Sequence, residues 1–240
     1  MMADQVMLTT SSLRVWVLRI SLLLVWLLST LFLSIPVEAA SADRWQQLTD
    51  EGTLAREQAR YREAERVFLE AGREAEQFDT ADTRLAATFN NLGLVFHEQG
   101  QYAKAKSYYE RALALWEQAV GTEHADVATA LHNLAEIYQQ EEEFEQAEAY
   151  YLRALAIGER VLGSGHPQLA LAHNGLGLLY RTEGRLVQAE ARFHLALALL
   201  ERQDGTTSAD VAPILNNLAS LYKEKELYVF AEPLYRQSLA

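Results

Sequence analysis

Stepping forward by forty-two residues from Phe96 reaches Tyr138, Tyr180 and Tyr222, and each of these closes a similar phrase. The phrases are Asn-Asn-Leu-Gly-Leu-Val-Phe, His-Asn-Leu-Ala-Glu-Ile-Tyr, Asn-Gly-Leu-Gly-Leu-Leu-Tyr and Asn-Asn-Leu-Ala-Ser-Leu-Tyr. A fixed period of this length marks a chain of stacked units, each burying an apolar face against the next. Such an array exposes a long ribbon of surface, and its work is usually to hold other chains rather than to do chemistry.

Within one period the apolar residues fall at helical spacing twice. Leu85, Phe89, Leu92, Gly93 and Phe96 share one side of a first helix, and Tyr102, Ala105, Tyr109, Ala112 and Leu113 share one side of a second. Gln99-Gly100-Gln101 supplies the turn between them. The second-helix pattern returns as Phe144, Ala147, Tyr151, Ala154 and Leu155, then Leu186, Ala189, Phe193, Ala196 and Leu197, then Tyr228, Ala231, Tyr235, Ser238 and Leu239. The alternation follows a packing rule: a small residue lets two helices approach to about 8–10 Å, and an aromatic fills the space beside it. With 50% hydrophobic and 22% charged residues, the sequence can fill such interfaces and is not disordered overall.

Leu92-Gly93, Phe96, Ala105, Tyr109 and Ala112 stand at the small and large positions of the tetratricopeptide repeat, which this sequence resembles. The forty-two-residue spacing and the Asn-Asn-Leu-Ala phrase resemble the kinesin-light-chain-like subgroup. The resemblance implies an all-α, right-handed solenoid of about five helix-turn-helix repeats, preceded by an N-terminal hydrophobic helix. The units are drawn at 81–121, 122–163, 164–205 and 206–240, the last either truncated or open to another subunit, after a degenerate unit at 43–80. That first unit shows in Leu48, Gly52, Ala64, Phe68 and Ala71, one residue out of register with the others.

The front of the chain differs from the rest. Ile20 to Ile35 is free of charge, follows Arg14 and Arg19, and precedes Pro36-Val37-Glu38-Ala39-Ala40. Basic, then apolar, then small is the layout of a secretory signal peptide. The run is shorter than the roughly 20 apolar residues a bilayer span needs. Extending it back to Val15 with Arg19 snorkelling would make an uncleaved anchor instead. Residues 1–39 are therefore expected to be a signal peptide or an N-terminal membrane anchor. The repeats would be periplasmic or secreted in the first case and membrane-anchored on the non-cytoplasmic side in the second. An oxidising compartment permits disulfides, yet the chain has no cysteine, so packing alone must hold it. A net charge of −12 argues against a nucleic-acid partner and serves solubility.

Asp82, His124, His166 and Ser208 recur every forty-two residues just ahead of a first helix, where capping is their expected role. Neither histidine has a recurring carboxylate or second histidine at ligand spacing, so no metal and no cofactor is expected. No phosphate loop or nucleophile motif occurs, and the Gly163-Ser164-Gly165 stretch lacks the strand and helix of a nucleophile elbow.

In tetratricopeptide arrays the first helices line the concave side, and the resemblance implies the same arrangement here. Asn90 and His97 share a stripe on the first such helix, matched by His132, then Asn174 and Arg181, then Asn216 and Lys223, with Asn91, Asn133 and Asn217 alongside and Gly175 breaking that series. An amide carries donors and an acceptor, so these asparagines are expected to hold the backbone of a peptide; the alternative is that they bond to neighbouring helices and stabilise the stack. His97, Arg181 and Lys223 would suit a carboxylate on the partner, although Glu98, Glu136 and Glu224 stand close to them. Phe230 and Leu234 are expected to lack a covering unit, and Pro233 to kink the last helix. The function expected is a non-catalytic scaffold that grips a peptide or partner helix in the concave groove. The alternatives are an assembly component that self-associates through its C-terminal helix and the recognition arm of a larger enzyme.

Overall fold

The computed structural model describes residues 37–79, 81–201 and 208–239. The segment expected at 1–39 to be a signal or an anchor lies almost entirely outside them. The described residues form ten α-helices in five hairpins: α1 (Val37–Glu57) with α2 (Tyr61–Ala75), α3 (Arg84–Glu98) with α4 (Tyr102–Val120), α5 (Ala125–Gln140) with α6 (Phe144–Leu162), α7 (Leu169–Thr182) with α8 (Leu186–Glu201), and α9 (Ser208–Glu224) with α10 (Tyr228–Ser238). Each helix packs most extensively on its hairpin partner and next on its sequence neighbour, which makes an all-α solenoid.

The hairpin turns are built alike. The N–H of residue 60, 101, 143, 185 or 227 donates to the carbonyl five residues earlier at 2.8–2.9 Å, closing a Schellman-type turn. The residue before each of these donors is left-handed: Ala59, Gly100, Glu142, Gly184 and Glu226 have φ of 56°, 70°, 61°, 75° and 60°. Two of the five are glycine and three adopt the conformation against the steric preference of an L-residue.

Inside each hairpin the small and aromatic positions meet as their spacing predicts. Tyr109 covers the Cα of Gly93 so closely that no Cβ could fit, and Phe193 covers Gly177 in the same way. Between hairpins, the three equivalent residues ahead of α3, α5 and α7 share one task. Asp82 Oδ1 accepts the Arg84 N–H at 2.8 Å, His124 Nδ1 accepts from Asp126 at 3.3 Å, and His166 Nδ1 accepts from Gln168 at 3.3 Å. Each satisfies a backbone donor that a helix start leaves open. At the far end, α10 runs on through Pro233. Leu234 packs half-buried against the core of the last hairpins. Phe230 leans on Tyr222 at 5.6 Å between ring centroids and remains 57% exposed.

Candidate functional site

The curvature of the solenoid follows from which helices touch across repeats. Helices α1 and α3, α5 and α7, and α7 and α9 meet directly, whereas successive second helices make no comparable contact. First helices therefore crowd on the inside of the curve, and their outer stripes form the concave surface.

Most of the amides of that surface are committed to one another. Asn133 Nδ2 donates to Asn90 Oδ1 at 2.7 Å with both side chains buried, and Asn217 Nδ2 donates to Asn174 Oδ1 at 2.9 Å. Each bond joins one first helix to the next, so four of the asparagines singled out in the sequence tie the stack together. Asn91 is half-buried, and exposed Asn216 accepts from the Ser238 hydroxyl at 3.4 Å. Half-buried Arg181 and exposed Lys223 form no ion pair with a described residue. They are the cations of this surface that the fold leaves open.

The amide ladder breaks at the middle joint, where His132 faces Gly175 in place of two asparagines. Tyr151 occupies the vacated space: a Cβ on Gly175 would lie 2.5 Å from the Tyr151 ring and 3.0 Å from its hydroxyl. The His132 ring meets that tyrosine edge-on at 5.3 Å. Glu136 lies between two histidines, 3.5 Å from His132 Nε2 and 3.8 Å from His97 Nδ1. Burial opposes ionisation of Glu136, but the hydrogen bond from His132 and the nearness of both rings outweigh it and hold the carboxyl below its ordinary range. Burial, with Glu136 and Glu98 close by, pushes the Tyr109 hydroxyl well above an ordinary phenol. His97, His132 and Glu136 thus form one polar cluster: the sequence singled out both histidines as candidate peptide contacts with Glu136 close by, and the structure turns them onto one another. Among the described residues no group of three or more such side chains is arranged to hold a metal ion.

Next to the break is a cavity of about 260 Å³ between α5, α6 and α7, walled by Leu162, Leu169, Leu171 and Ala172 and rimmed by Asp126, Thr129 and His132. Gly158, which also lines it, stands one period after Trp116, and Leu169 packs into the space where a side chain on Gly158 would begin.

Comparison with known proteins bears on this repeat geometry. The tetratricopeptide repeat model matches residues 84–160, 126–201 and 168–240, overlapping windows that together cover more than half of the chain. The chain belongs to the tetratricopeptide repeat family. Among solved tetratricopeptide-like structures it is similar to BtubC (BKLC) from P. vanneervenii, with 28% identity, a TM-score of 0.69, and coverage of 80% of this chain and 77% of that one. It is also similar to the nearly identical TPR-like repeats of a putative kinesin light chain from Podosopora anserina, at 18% identity and a TM-score of 0.62 over 81% of this chain and 93% of that one. A Rap protein complexed with Competence and Sporulation Factor shares the fold at 16% identity and a TM-score of 0.71, over 82% of this chain and 53% of that one. No curated protein matches the sequence. Among the described residues of this tetratricopeptide array, no helix is long and apolar enough to cross a membrane.

Proposed function

We propose that the protein is a non-catalytic scaffold that holds a peptide or a segment of a partner protein along the concave surface of its first helices. One observation carries the reading: this surface has side chains that the fold does not use, among them Leu171 at 65% exposure, with Arg181 and Lys223 outside any ion pair with described residues. An exposed leucine beside open charges on a concave face is the mixture that a bound chain covers. Asn91, Asn216, Arg181 and Lys223 are the sequence-derived site residues with polar groups free for a partner. Asn90, Asn133, Asn174 and Asn217 act through the shape of the surface, and His97 and His132 through the Glu136 cluster. The Rap protein, which shares the fold, is complexed with Competence and Sporulation Factor, a precedent for an array of this shape holding a factor.

The test is selection of a random peptide library on the 240-residue chain, followed by rebinding to variants. Leu171→Glu or Lys223→Glu on the concave side should weaken the selected peptides by about tenfold, as removal of a contact worth ~1.4 kcal/mol would. Val187→Glu, on a second helix and 78% exposed, should leave them unchanged. Equal sensitivity to Val187→Glu would defeat the concave reading.

A second reading rests on α10, where Tyr228, Val229 and Phe230 are each more than half exposed: the chain self-associates through this helix. Sedimentation of wild type against Phe230→Glu distinguishes it, because a mass that is independent of concentration and of the substitution excludes it. The N-terminal apolar run supports export of the repeats by a signal or an anchor. N-terminal sequencing of the mature chain, with protease protection of whole cells, tests that reading.

A further inference from the structure

On α8 one stripe carries the joint to the next hairpin. Glu190 meets Lys225 at 2.6 Å, the His194 ring meets the Tyr222 hydroxyl at 3.2 Å, and Leu197 packs against the core of the last hairpins. One period later the same positions hold Glu232 and Arg236 on α10 and Leu239 at its C-cap, which keeps helical backbone. Among the described residues Glu232 and Arg236 pair only with each other, at 2.6 Å and both exposed, and Leu239 is 88% exposed. Val229, 83% exposed, extends the stripe toward the start of the helix. Steps of three, four and three keep Val229, Glu232, Arg236 and Leu239 on one side of α10.

The order of the stripe is self-complementary. Read forward it runs apolar, acidic, basic, apolar, and read backward it offers the partner of each residue in turn. A second α10 laid antiparallel therefore sets Val229 against Leu239 of the other copy and Glu232 against its Arg236, twice over, with both pairs centred on residue 234. Each charge keeps its own neighbour one turn away and gains another across the contact. A parallel copy in register would instead oppose glutamate to glutamate and arginine to arginine, a costly arrangement. The first hairpin offers no better seat for the stripe. On α1, Gln47 and Glu51 stand exposed beside Leu54, at positions where the second hairpin buries Thr88 and Leu92. A head-to-tail copy would lay Val229 and Leu239 on that largely polar face.

From the repeat position, the exposure and the charge order of this stripe, we infer that α10 binds α10 of a second copy in antiparallel register, closing a two-fold dimer rather than an open chain of copies. The inference rests on the self-association reading and supplies its geometry. Phe230, leaning on Tyr222 at the flank of the stripe, lies outside the contact. The 11 residues of α10 span about 16 Å, so the contact is smaller than the roughly 800 Å² per partner of a standard stable interface, and the dimer exchanges with monomer.

The chain has no cysteine, so single cysteines report the register without background. Val229→Cys and Leu239→Cys, both at exposed positions, are made in the 240-residue chain and oxidised separately and mixed. The mixture should give the covalent dimer, whereas either variant alone should not, because its two copies of the cysteine lie ~15 Å apart in an antiparallel pair, beyond disulfide reach. In sedimentation, the wild-type mass should rise with concentration. Glu232→Arg or Arg236→Glu alone should weaken dimerisation by about tenfold, an equal mixture of the two variants should recover it, and Phe230→Glu should leave it unchanged. A mass independent of concentration, or association that no α10 substitution alters, would overturn both the self-association reading and the register. Association abolished by Phe230→Glu but indifferent to Glu232→Arg, or a disulfide formed by Val229→Cys alone, would overturn the register and leave self-association standing.

Discussion

Lys106 Nζ lies 2.7 Å from a Glu141 carboxylate oxygen, in the two repeat positions at which, two periods later, Glu190 and Lys225 meet at 2.6 Å with their charges exchanged. Both pairs clasp one hairpin to the first helix of the next, and both lie over a tyrosine: Lys106 is 4.1 Å from the Tyr138 ring centroid, and the Tyr222 hydroxyl donates to Glu190 at 2.8 Å. Between them, Glu148 takes the Tyr180 hydroxyl at 2.6 Å and Arg185 at 2.8 Å. The reversal of charge means that a hairpin docked two joints out of place would set Lys106 against Lys225 and meet like charges. The clasps therefore disfavour that misordering of otherwise similar units.

Exchanging the clasp tests this argument. Lys106→Glu should destabilise the array by roughly 1 kcal/mol, since the pair is only partly exposed and its single variant places two carboxylates together. Adding Glu141→Lys should restore most of the loss. A double-mutant cycle on thermal midpoints reads the coupling, and a cycle that closes with no coupling would show the clasp to be energetically idle.

Restoring the interrupted amide series should harm the protein. Gly175→Asn reinstates the sequence pattern but sets a Cβ 2.5 Å from the Tyr151 ring, and overpacking of that kind costs about 1–3 kcal/mol. A lowered urea midpoint is expected; an unchanged one would mean that Tyr151 moves aside freely.

The buried amide pair makes a contrasting case. Asn133→Ala leaves Asn90 Oδ1 without its 2.7 Å donor in a buried site, a loss of roughly 1–3 kcal/mol. Chemical denaturation measures it. Stability equal to wild type would return Asn133 to the role of an open peptide contact.

Left-handed turn residues offer a gain instead. Glu142 holds φ of 61° where the equivalent residues Gly100 and Gly184 are glycines. Glu142→Gly should raise the thermal midpoint modestly, because the left-handed penalty of about 1–2 kcal/mol exceeds the roughly 0.5–1 kcal/mol entropic cost of glycine. Gly100→Ala should lower the midpoint.

Acid should loosen the array before the carboxylates titrate. Burial, with Arg192 beside it, pushes His173 down to about 4, so between that value and an unfolded histidine's ~6.5 the unfolded chain binds the extra proton. Stability from this group is full above pH ~6.5 and is lost as pH falls toward 4. The lowered carboxyls of Glu136, Glu148 and Glu190 act in the same direction, with losses beginning below their ordinary range near ~4.3. Melting temperature followed from pH 7.5 to 4.5 should fall in the wild type and less in His173→Gln. Parallel curves would remove His173 as the cause.

Much of the fold could be read from one period of sequence. Leu92, Gly93, Phe96, Ala105 and Tyr109 recur because contacts within a hairpin and from one hairpin to the next repeat identically, so a local pattern specifies a local structure and stacking follows. The caps at Asp82, His124 and His166 were legible for the same reason: each acts on a backbone amide two residues away.

The candidate site was legible only in part. Recurrence marked Asn133 and Asn217, yet whether an amide faces a partner or a neighbouring helix depends on the distance between first helices that lie forty-three residues apart in sequence. The middle joint was harder still, because His132, Gly158 and Gly175 each depart from the repeat, and a departure read alone looks like noise. Only the tertiary structure brings the three departures to one place, where Tyr151 covers Gly175, Leu169 covers Gly158, and His132 lines the cavity beside them. Periodicity determined the architecture, since it reports the contacts that every unit shares. The packing of unlike side chains at one joint decided where the surface opens, because a cavity is the volume that its neighbours fail to fill, and no single residue carries that information.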